Sequence, residues 1–208
     1  MRVSLLPLFP TAFGEYKNED NNSHKRLYDA VEDIRNEHGD GRQVSNIGGW
    51  QSNNLDIKYL KEGIGEFVES SMVDYLNAFQ FTGKVKITII NFWLNVNKLY
   101  QFNMTHHHIG DDIDFACVYY LKVPKDAGPL RIDDPAHHSK FAVKFFRDIC
   151  KHHNMTPYLD YHAREKHLAI FPAYAMHSVM PSRRESDEER WSMAFNIKVE
   201  LDLDNETR

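Results

Sequence analysis

The chain has only two cysteines, it has no long apolar run, and it carries no excess of positive charge. Its two cysteines, Cys117 and Cys150, sit in apolar patterns, so we expect a reducing compartment rather than a disulfide framework. No apolar run approaches the ~20 residues needed to cross a bilayer, and Met1–Pro10 is too short and proline-broken for a signal peptide. A net charge of −5 argues against a nucleic-acid-coating protein. We therefore expect a soluble, cytoplasmic protein without membrane or nucleic-acid partners.

The first part of the chain has helical periodicity. Its 208 residues with 42% hydrophobic content suit a single globular domain. After a short N-terminal strand, Leu27, Val31 and Ile34 recur at helical spacing and predict one helix. A second helix is predicted from Ile57 to Phe79. We expect residues 1–84 to support the remainder of the domain, residues 85–202.

From residue 85 the hydrophobic period changes to two, which is typical of strands. The candidate strands are Val85–Asn95, Gln101–His108, Asp114–Val123, Pro129–Asp133, Lys166–Phe171, Met176–Met180 and Arg190–Leu201. A helix at Lys140–Lys151 is predicted between two of them. Short strands separated by regular turns indicate a sandwich or barrel. The predicted fold class is therefore α+β, mainly β, with helices packed on an antiparallel core.

Three of the twelve histidines have a spacing that suggests a metal site. On a strand, His106 and His108 would share one face, and His107 would lie on the other. His177 lies on a distant strand-like run. Two ligands from one strand and one from another can form a facial site that leaves coordination positions open.

The histidines alone leave the ligand set and the metal undecided. A run of three histidines also occurs as a solvated turn or an accidental tract. Sites of this geometry commonly include a carboxylate, which Asp111, Asp112 or Asp114 could supply in place of His108. An all-nitrogen site suits zinc as well as iron.

The last predicted strand carries a second signal. Arg190 and Ser192 alternate with apolar residues and lie on one face together with Asn196. A guanidinium and a neighbouring hydroxyl can both donate hydrogen bonds to a carboxylate, so this pair suits a carboxylate-binding site. The alternative is an edge strand whose polar face is solvated.

These motifs, taken in order, resemble a known family. The second half is similar to the Fe(II)/2-oxoglutarate-dependent oxygenases of the double-stranded β-helix (jelly-roll, cupin-like) fold, of the prolyl-hydroxylase type. The stretches that carry this likeness are His106-X-His108, Ala116–Leu121, Gly128–Leu130, Phe171–His177 and Arg190-X-Ser192. Further stretches resemble a group of such oxygenases from bacteria and marine phages, namely Leu8–Thr11, Gly49–Ser52, Trp93–Asn97, Asn103–His108 and Val118–Tyr120.

The resemblance implies a role for each site residue. Fe(II) would be held by His106, His108 and His177. The residues implied to contact 2-oxoglutarate are Arg190, on its distal carboxylate, together with Ser192, Tyr120, Leu130 and Asn97.

The implied activity is that of a dioxygenase, and more specifically of a hydroxylase. Such an enzyme uses Fe(II), O₂ and 2-oxoglutarate, and it couples decarboxylation of 2-oxoglutarate to oxidation of a substrate. The primary substrate is left open between a prolyl peptide, a small molecule and a nucleotide, and a homodimer is also left open. A phage-encoded enzyme would act in the host cytoplasm. The alternatives are a cupin-like metal protein that uses no 2-oxoglutarate and a non-catalytic module on the same scaffold.

Overall fold

The N-terminal layer combines one strand with two helices. A computed structural model describes residues 11–61, 63–81, 83–110, 112–144, 147–148, 152, 156–182 and 187–201, so the motif residues Leu8–Pro10 lie outside the described part. Strand β1 (Gly14–Lys17) leads into helices α1 (Asn21–Asp29) and α2 (Val31–His38). The Asp20 side chain caps α1 by accepting a hydrogen bond from the backbone of Asn22 at 2.9 Å. The first predicted helix is thus present as two consecutive helices.

The second predicted helix, Ile57–Phe79, is wrong as a continuous element. A 3₁₀ helix at Ile57–Leu60 and helix α3 (Ile64–Asn77) replace it. Between them, Gly63 has a φ of 112°, a backbone conformation that glycine adopts far more readily than other residues. The backbone N–H of Gly63 donates to the Glu66 carboxylate at 2.9 Å and so begins α3. In the described part of the chain, no helix is both long and apolar enough to cross a membrane.

Within the described residues, ten further strands form the β-core with β1. They are β2 (Asn46–Ile47), β3 (Trp50–Gln51), β4 (Val85–Asn97), β5 (Phe102–His106), β6 (Phe115–Lys122), β7 (Leu130–Asp133), β8 (Tyr158–Tyr161), β9 (His167–Pro172), β10 (His177–Val179) and β11 (Arg190–Leu201). All seven predicted strands are confirmed, β11 with the predicted ends and the other six with shifted ends, whereas β2, β3 and β8 were not predicted. The end of β5 affects the candidate site, because the strand stops at His106 and His108 lies in the loop beyond it.

Helix α4 is His137–Ala142 and begins earlier than the predicted helix, Lys140–Lys151. Much of the predicted range lies outside the described residues.

The strands form two antiparallel sheets, ordered β1-β9-β6-β11-β4-β3 and β2-β5-β10-β7-β8. From β4 to β11 the chain passes back and forth between them, interrupted only by the β7–β8 pair. Side chains from both sheets, including Tyr120, Leu130 and Phe171, share one buried cluster, so the sheets face each other. This is the predicted double-stranded β-helix arrangement.

Strand β11 separates two environments. Trp191, Met193, Phe195 and Ile197 belong to a core shared with helices α1, α2 and α3, as their alternation predicts. The opposite face of β11 points between the sheets. The helices therefore cover one face of the larger sheet, and the other face is left to form a site.

Candidate metal centre

Three histidines converge at one end of the space between the sheets. The backbone pairing of β5 with β10 places His106 opposite His177, and His108 follows from the loop after β5. One ring nitrogen from each of the three lies within 4.8 Å of the others, and the ring centroids are 4.3 to 5.2 Å apart. His107 is exposed and outside this cluster, and its Nδ1 accepts a hydrogen bond from the backbone of Ile109 at 3.2 Å.

Backbone carbonyls orient two of the rings. Nδ1 of His106 donates to the Met104 carbonyl at 2.7 Å, and Nδ1 of His177 donates to the Ala175 carbonyl at 2.8 Å. A proton on Nδ1 leaves the lone pair of each ring on Nε2. This tautomer is the one that a metal-binding histidine adopts when its other nitrogen is held by a carbonyl.

A side chain from the opposite sheet orients the third ring. Nδ1 of His108 lies 2.5 Å from Oδ1 of Asn196 on β11. The Asn196 amide nitrogen in turn donates to Oδ1 of Asn91 on the neighbouring strand β4 at 2.8 Å. With the amide nitrogen engaged in this way, the Asn196 oxygen faces the imidazole and Nδ1 is the donor. The lone pair of His108 is therefore also on Nε2.

Burial keeps these imidazoles neutral. Desolvation lowers the pKa of His177 to about 3 and that of His108 to about 4, and it also lowers the pKa of His106. The Trp93 ring lies 5.8 Å from His108, and the Phe171 ring meets His177 edge-on at 4.8 Å. Three neutral nitrogen donors between aromatic walls are a donor set that suits a divalent transition metal.

Two of the three acidic residues considered as alternative ligands are engaged elsewhere. The Asp112 carboxylate pairs with Lys198 at 2.5 Å, and that of Asp114 accepts from the backbone of Val199 at 2.8 Å. Asp111 lies outside the described residues. Among the residues that the structure describes, the clustered donors are therefore all imidazoles.

The buried Arg190 lines the same pocket as the three histidines. It is only 2% exposed, and its Nη1 lies 3.4 Å from the Ser192 hydroxyl. Leu130 also lines this pocket. A buried guanidinium with a hydroxyl beside it, in the same pocket as a histidine cluster that could hold a metal, suits a small carboxylate ligand.

Two further predicted contacts lie next to Arg190 rather than in this pocket lining. The Arg190 guanidinium is 5.1 Å from the centre of the Tyr120 ring, and burial raises the pKa of Tyr120 to about 12, so its hydroxyl keeps its proton. Asn97 is the backbone partner of Arg190 on β4 and lines a small adjoining cavity with it. Both residues therefore border the guanidinium from outside the pocket.

Two residues at this site were missed as functional candidates. Asn196 shares a face of β11 with Arg190 and Ser192, and that alternation was the available signal. Trp93 is on β4, where a single sequence does not indicate which strand it will face. Both depend on which strands pair, and this is a long-range property.

A jelly-roll of two facing sheets, with a histidine cluster and a buried arginine in one pocket, defines a metal-dependent oxygenase scaffold. A family model described as "Putative 2OG-Fe(II) oxygenase" matches residues 91–196, just over half of the chain. The protein belongs to this family of 2-oxoglutarate-dependent oxygenases, which are oxidoreductases that use Fe(II), 2-oxoglutarate and O₂. A search of curated protein sequences gave no match.

Solved structures show the same fold at low sequence identity. A prolyl-4-hydroxylase from Pseudomonas putida is 15% identical with a TM-score of 0.58, and the match covers 90% of this chain and 92% of that one. A collagen prolyl hydroxylase from Paramecium Bursaria Chlorella virus-1, solved with 2-oxoglutarate, is 12% identical with a TM-score of 0.55, covering 89% and 95%. HygX from Streptomyces hygroscopicus, solved with nickel and 2-oxoglutarate, is 9% identical with a TM-score of 0.59, covering 90% and 83%.

Proposed function

We propose that this protein is a hydroxylase whose metal ligands are His106, His108 and His177. The observation that carries the proposal is the orientation of the three rings. Each ring has Nδ1 held by a carbonyl oxygen, which leaves its lone pair on Nε2, and one nitrogen of each ring lies within 4.8 Å of the others. A metal held there would supply the oxidation chemistry, in which O₂ is consumed, 2-oxoglutarate is converted to succinate and CO₂, and a substrate C–H bond is hydroxylated.

The role that we assign to Arg190 is to bind the distal carboxylate of 2-oxoglutarate. A buried guanidinium pairs with a carboxylate through short, charge-assisted hydrogen bonds, which strengthen in a poorly hydrated pocket. Ser192 adds a hydroxyl on the same face of β11, and Leu130 contributes an apolar wall. Tyr120 and Asn97 lie next to Arg190 outside this pocket. The protein thus positions the cosubstrate and excludes water from it.

Peptidyl-proline is one candidate substrate, and a small molecule is another. The similarity to prolyl hydroxylases supports the first, and the similarity to HygX, which has also been solved with hygromycin B bound, supports the second.

The proposal is tested by anaerobic titration of the metal-free protein with Fe(II) and then with 2-oxoglutarate. We expect a weak visible charge-transfer band when the keto acid chelates the metal. Tight Zn(II) binding without any such band would contradict the proposal.

An Arg190→Ala variant tests the carboxylate role separately. It should retain the metal and bind 2-oxoglutarate at least tenfold more weakly, because a charge-assisted pair is lost. An Arg190→Lys variant with an unchanged melting temperature serves as the folding control. Unchanged 2-oxoglutarate affinity in a folded Arg190→Ala protein would reject this role.

A further inference from the structure

A second cleft, of about 330 Å³, opens on the outer side of the histidine cluster. It shares His106, His108 and Trp93 with the inner pocket that contains Arg190. Arg190 and Ser192 line the inner pocket but not this cleft, so a molecule in the cleft would reach the histidine cluster without contacting either of them. The remaining walls come from the segment between α2 and the 3₁₀ helix and from β4, β11 and the loop after β5.

A single permanent cation, Arg42, lines the described part of this cleft, and no acidic residue does. Its guanidinium lies over the Trp93 ring, 5.7 Å from the ring centre, and Nη2 is 3.4 Å from Oδ1 of Asn54. With the Gln51 carboxamide turned so that its oxygen faces the guanidinium, Nε and Nη2 lie 3.1 and 3.2 Å from it. No carboxylate elsewhere in the described chain pairs with Arg42. In a protein of net charge −5, this cleft therefore has a locally positive lining.

The backbone around Arg42 is held tightly in place. Its N–H donates to the Gln51 carbonyl at 2.8 Å, and its own carbonyl accepts from the Asn46 amide at 3.1 Å. The preceding Gly41 has a φ of +67°, and a Cβ there would lie 2.3 Å from the Gln51 carbonyl oxygen. The guanidinium is consequently presented from a fixed backbone position, which favours binding over a freely mobile surface arginine.

The cleft also has an apolar rim. Val44 and Ile109 are 60% and 63% exposed, and both are among its lining residues. Large apolar side chains left exposed around a polar cleft are typical of a ligand-binding surface. The neighbouring Asn91 amide group offers further hydrogen bonding beside Arg42.

We propose that this cleft binds the primary substrate, and that the substrate is an organic molecule with one carboxylate, contacted by Arg42, and an apolar portion against Val44 and Ile109. One guanidinium surrounded by neutral amides balances a single negative charge, which fits a carboxylate better than a phosphate dianion. This inference rests on the proposed function, since it assigns a substrate class to the same metal centre.

The test uses two probes of equal shape, N-acetyl-L-leucine and N-acetyl-L-leucinamide, and the full-length protein saturated with Zn(II) and 2-oxoglutarate. Binding is followed by the ¹H–¹⁵N signal of the Trp93 indole, which a Trp93→Phe spectrum identifies. We expect the carboxylate probe to bind roughly tenfold more tightly than the amide, because a charge-assisted hydrogen bond is made to one of them alone. Arg42→Gln should abolish this difference.

Arg164→Gln is the matched control, because it removes the same charge from an exposed residue that pairs with Glu15 instead. It should leave the preference for the carboxylate intact. Equal binding of both probes to the unaltered protein, no shift of the Trp93 signal up to millimolar probe, or a preference that survives Arg42→Gln would each overturn the inference. Tighter, Arg42-dependent binding of inorganic phosphate would overturn the carboxylate assignment.

Titration with 2-oxoglutarate separates this inference from the proposed function. If 2-oxoglutarate binds the Arg42→Gln and unaltered proteins equally, the inner pocket is intact and the probe results apply to the outer cleft alone. If 2-oxoglutarate binds neither protein, the proposed function is contradicted whatever the probes do.

Discussion

Replacing Asn196 with leucine should weaken metal binding although Asn196 is not a metal ligand. Its Oδ1 lies 2.5 Å from Nδ1 of His108, and the side chain is 7% exposed, so water cannot readily replace the lost acceptor. Without this contact, the His108 ring loses the partner that fixes its tautomer and orientation. Loss of the hydrogen-bond partner of a metal-binding histidine weakens metal affinity by about 10- to 100-fold. This corresponds to roughly 1.4 to 2.7 kcal/mol of binding free energy.

The assay is a competition titration in which a chromophoric chelator and the protein compete for Zn(II). Asn196→Asp is the informative comparison, because it keeps the oxygen acceptor for Nδ1 and should retain or increase the affinity. Asn91→Ala removes only the partner of the Asn196 amide nitrogen, so its effect should be much smaller. Metal-free samples of all three variants are first compared by thermal unfolding. If folded Asn196→Leu protein binds Zn(II) as tightly as the unaltered protein, our account of how His108 is oriented is refuted.

Three further outcomes follow from the structure. His107→Gln should change Zn(II) affinity by no more than a factor of about two, because His107 is exposed and lies outside the histidine cluster. A larger loss of affinity in the same titration would show that the proposed ligand set is wrong. Leu94→Ala, in the fully buried helix-facing core, should lower the free energy of unfolding by about 2–5 kcal/mol in urea, whereas Ile90→Ala on the exposed side of the same strand should change it far less. Burial lowers the pKa of His24, whose Nδ1 contacts the Tyr119 hydroxyl at 3.0 Å. The unfolded chain therefore binds a proton at His24 more readily than the folded protein does. As a result, the free energy of unfolding should fall as pH drops below about 6.5. Urea unfolding between pH 7.5 and 5 should show a shallower fall for His24→Gln, and equal slopes would refute this contribution.

The parts of the structure with a clear hydrophobic period could be predicted from the sequence. The alternation along β11 correctly separated its core face from the face that carries Arg190 and Ser192, because a central strand has a fixed environment on each side. The break at Gly63 was missed because apolar residues continue at helical spacing across it, so the period alone does not reveal a change of backbone conformation. The short strands β2 and β3 were missed because two residues are too few to show any period.

The residues around the histidines were harder to predict than the histidines. Arg42 lies in an irregular segment, and the pairings of β2 with β5 and of β3 with β4 bring that segment beside Trp93. Asn196 was assigned to the correct face, but its contact with His108 crosses from one sheet to the other over 88 residues of chain. Contacts of this kind depend on how the two sheets stack, and no local pattern in a single sequence records that stacking.

The all-imidazole cluster has a consequence for the overall charge of the loaded site. Three neutral nitrogen donors leave the two positive charges of a bound Fe(II) uncompensated, whereas a site with one carboxylate ligand would leave a single positive charge. With the ligands that we propose, and with the Arg190 guanidinium included, the dianion of 2-oxoglutarate would leave the loaded site at +1, whereas a site with one carboxylate ligand would be neutral. Electroneutrality matters most where water is excluded, because an unbalanced charge is poorly solvated there. The ligand set should therefore favour an anionic molecule over a neutral one beside the loaded metal centre, because one positive charge there stays unbalanced.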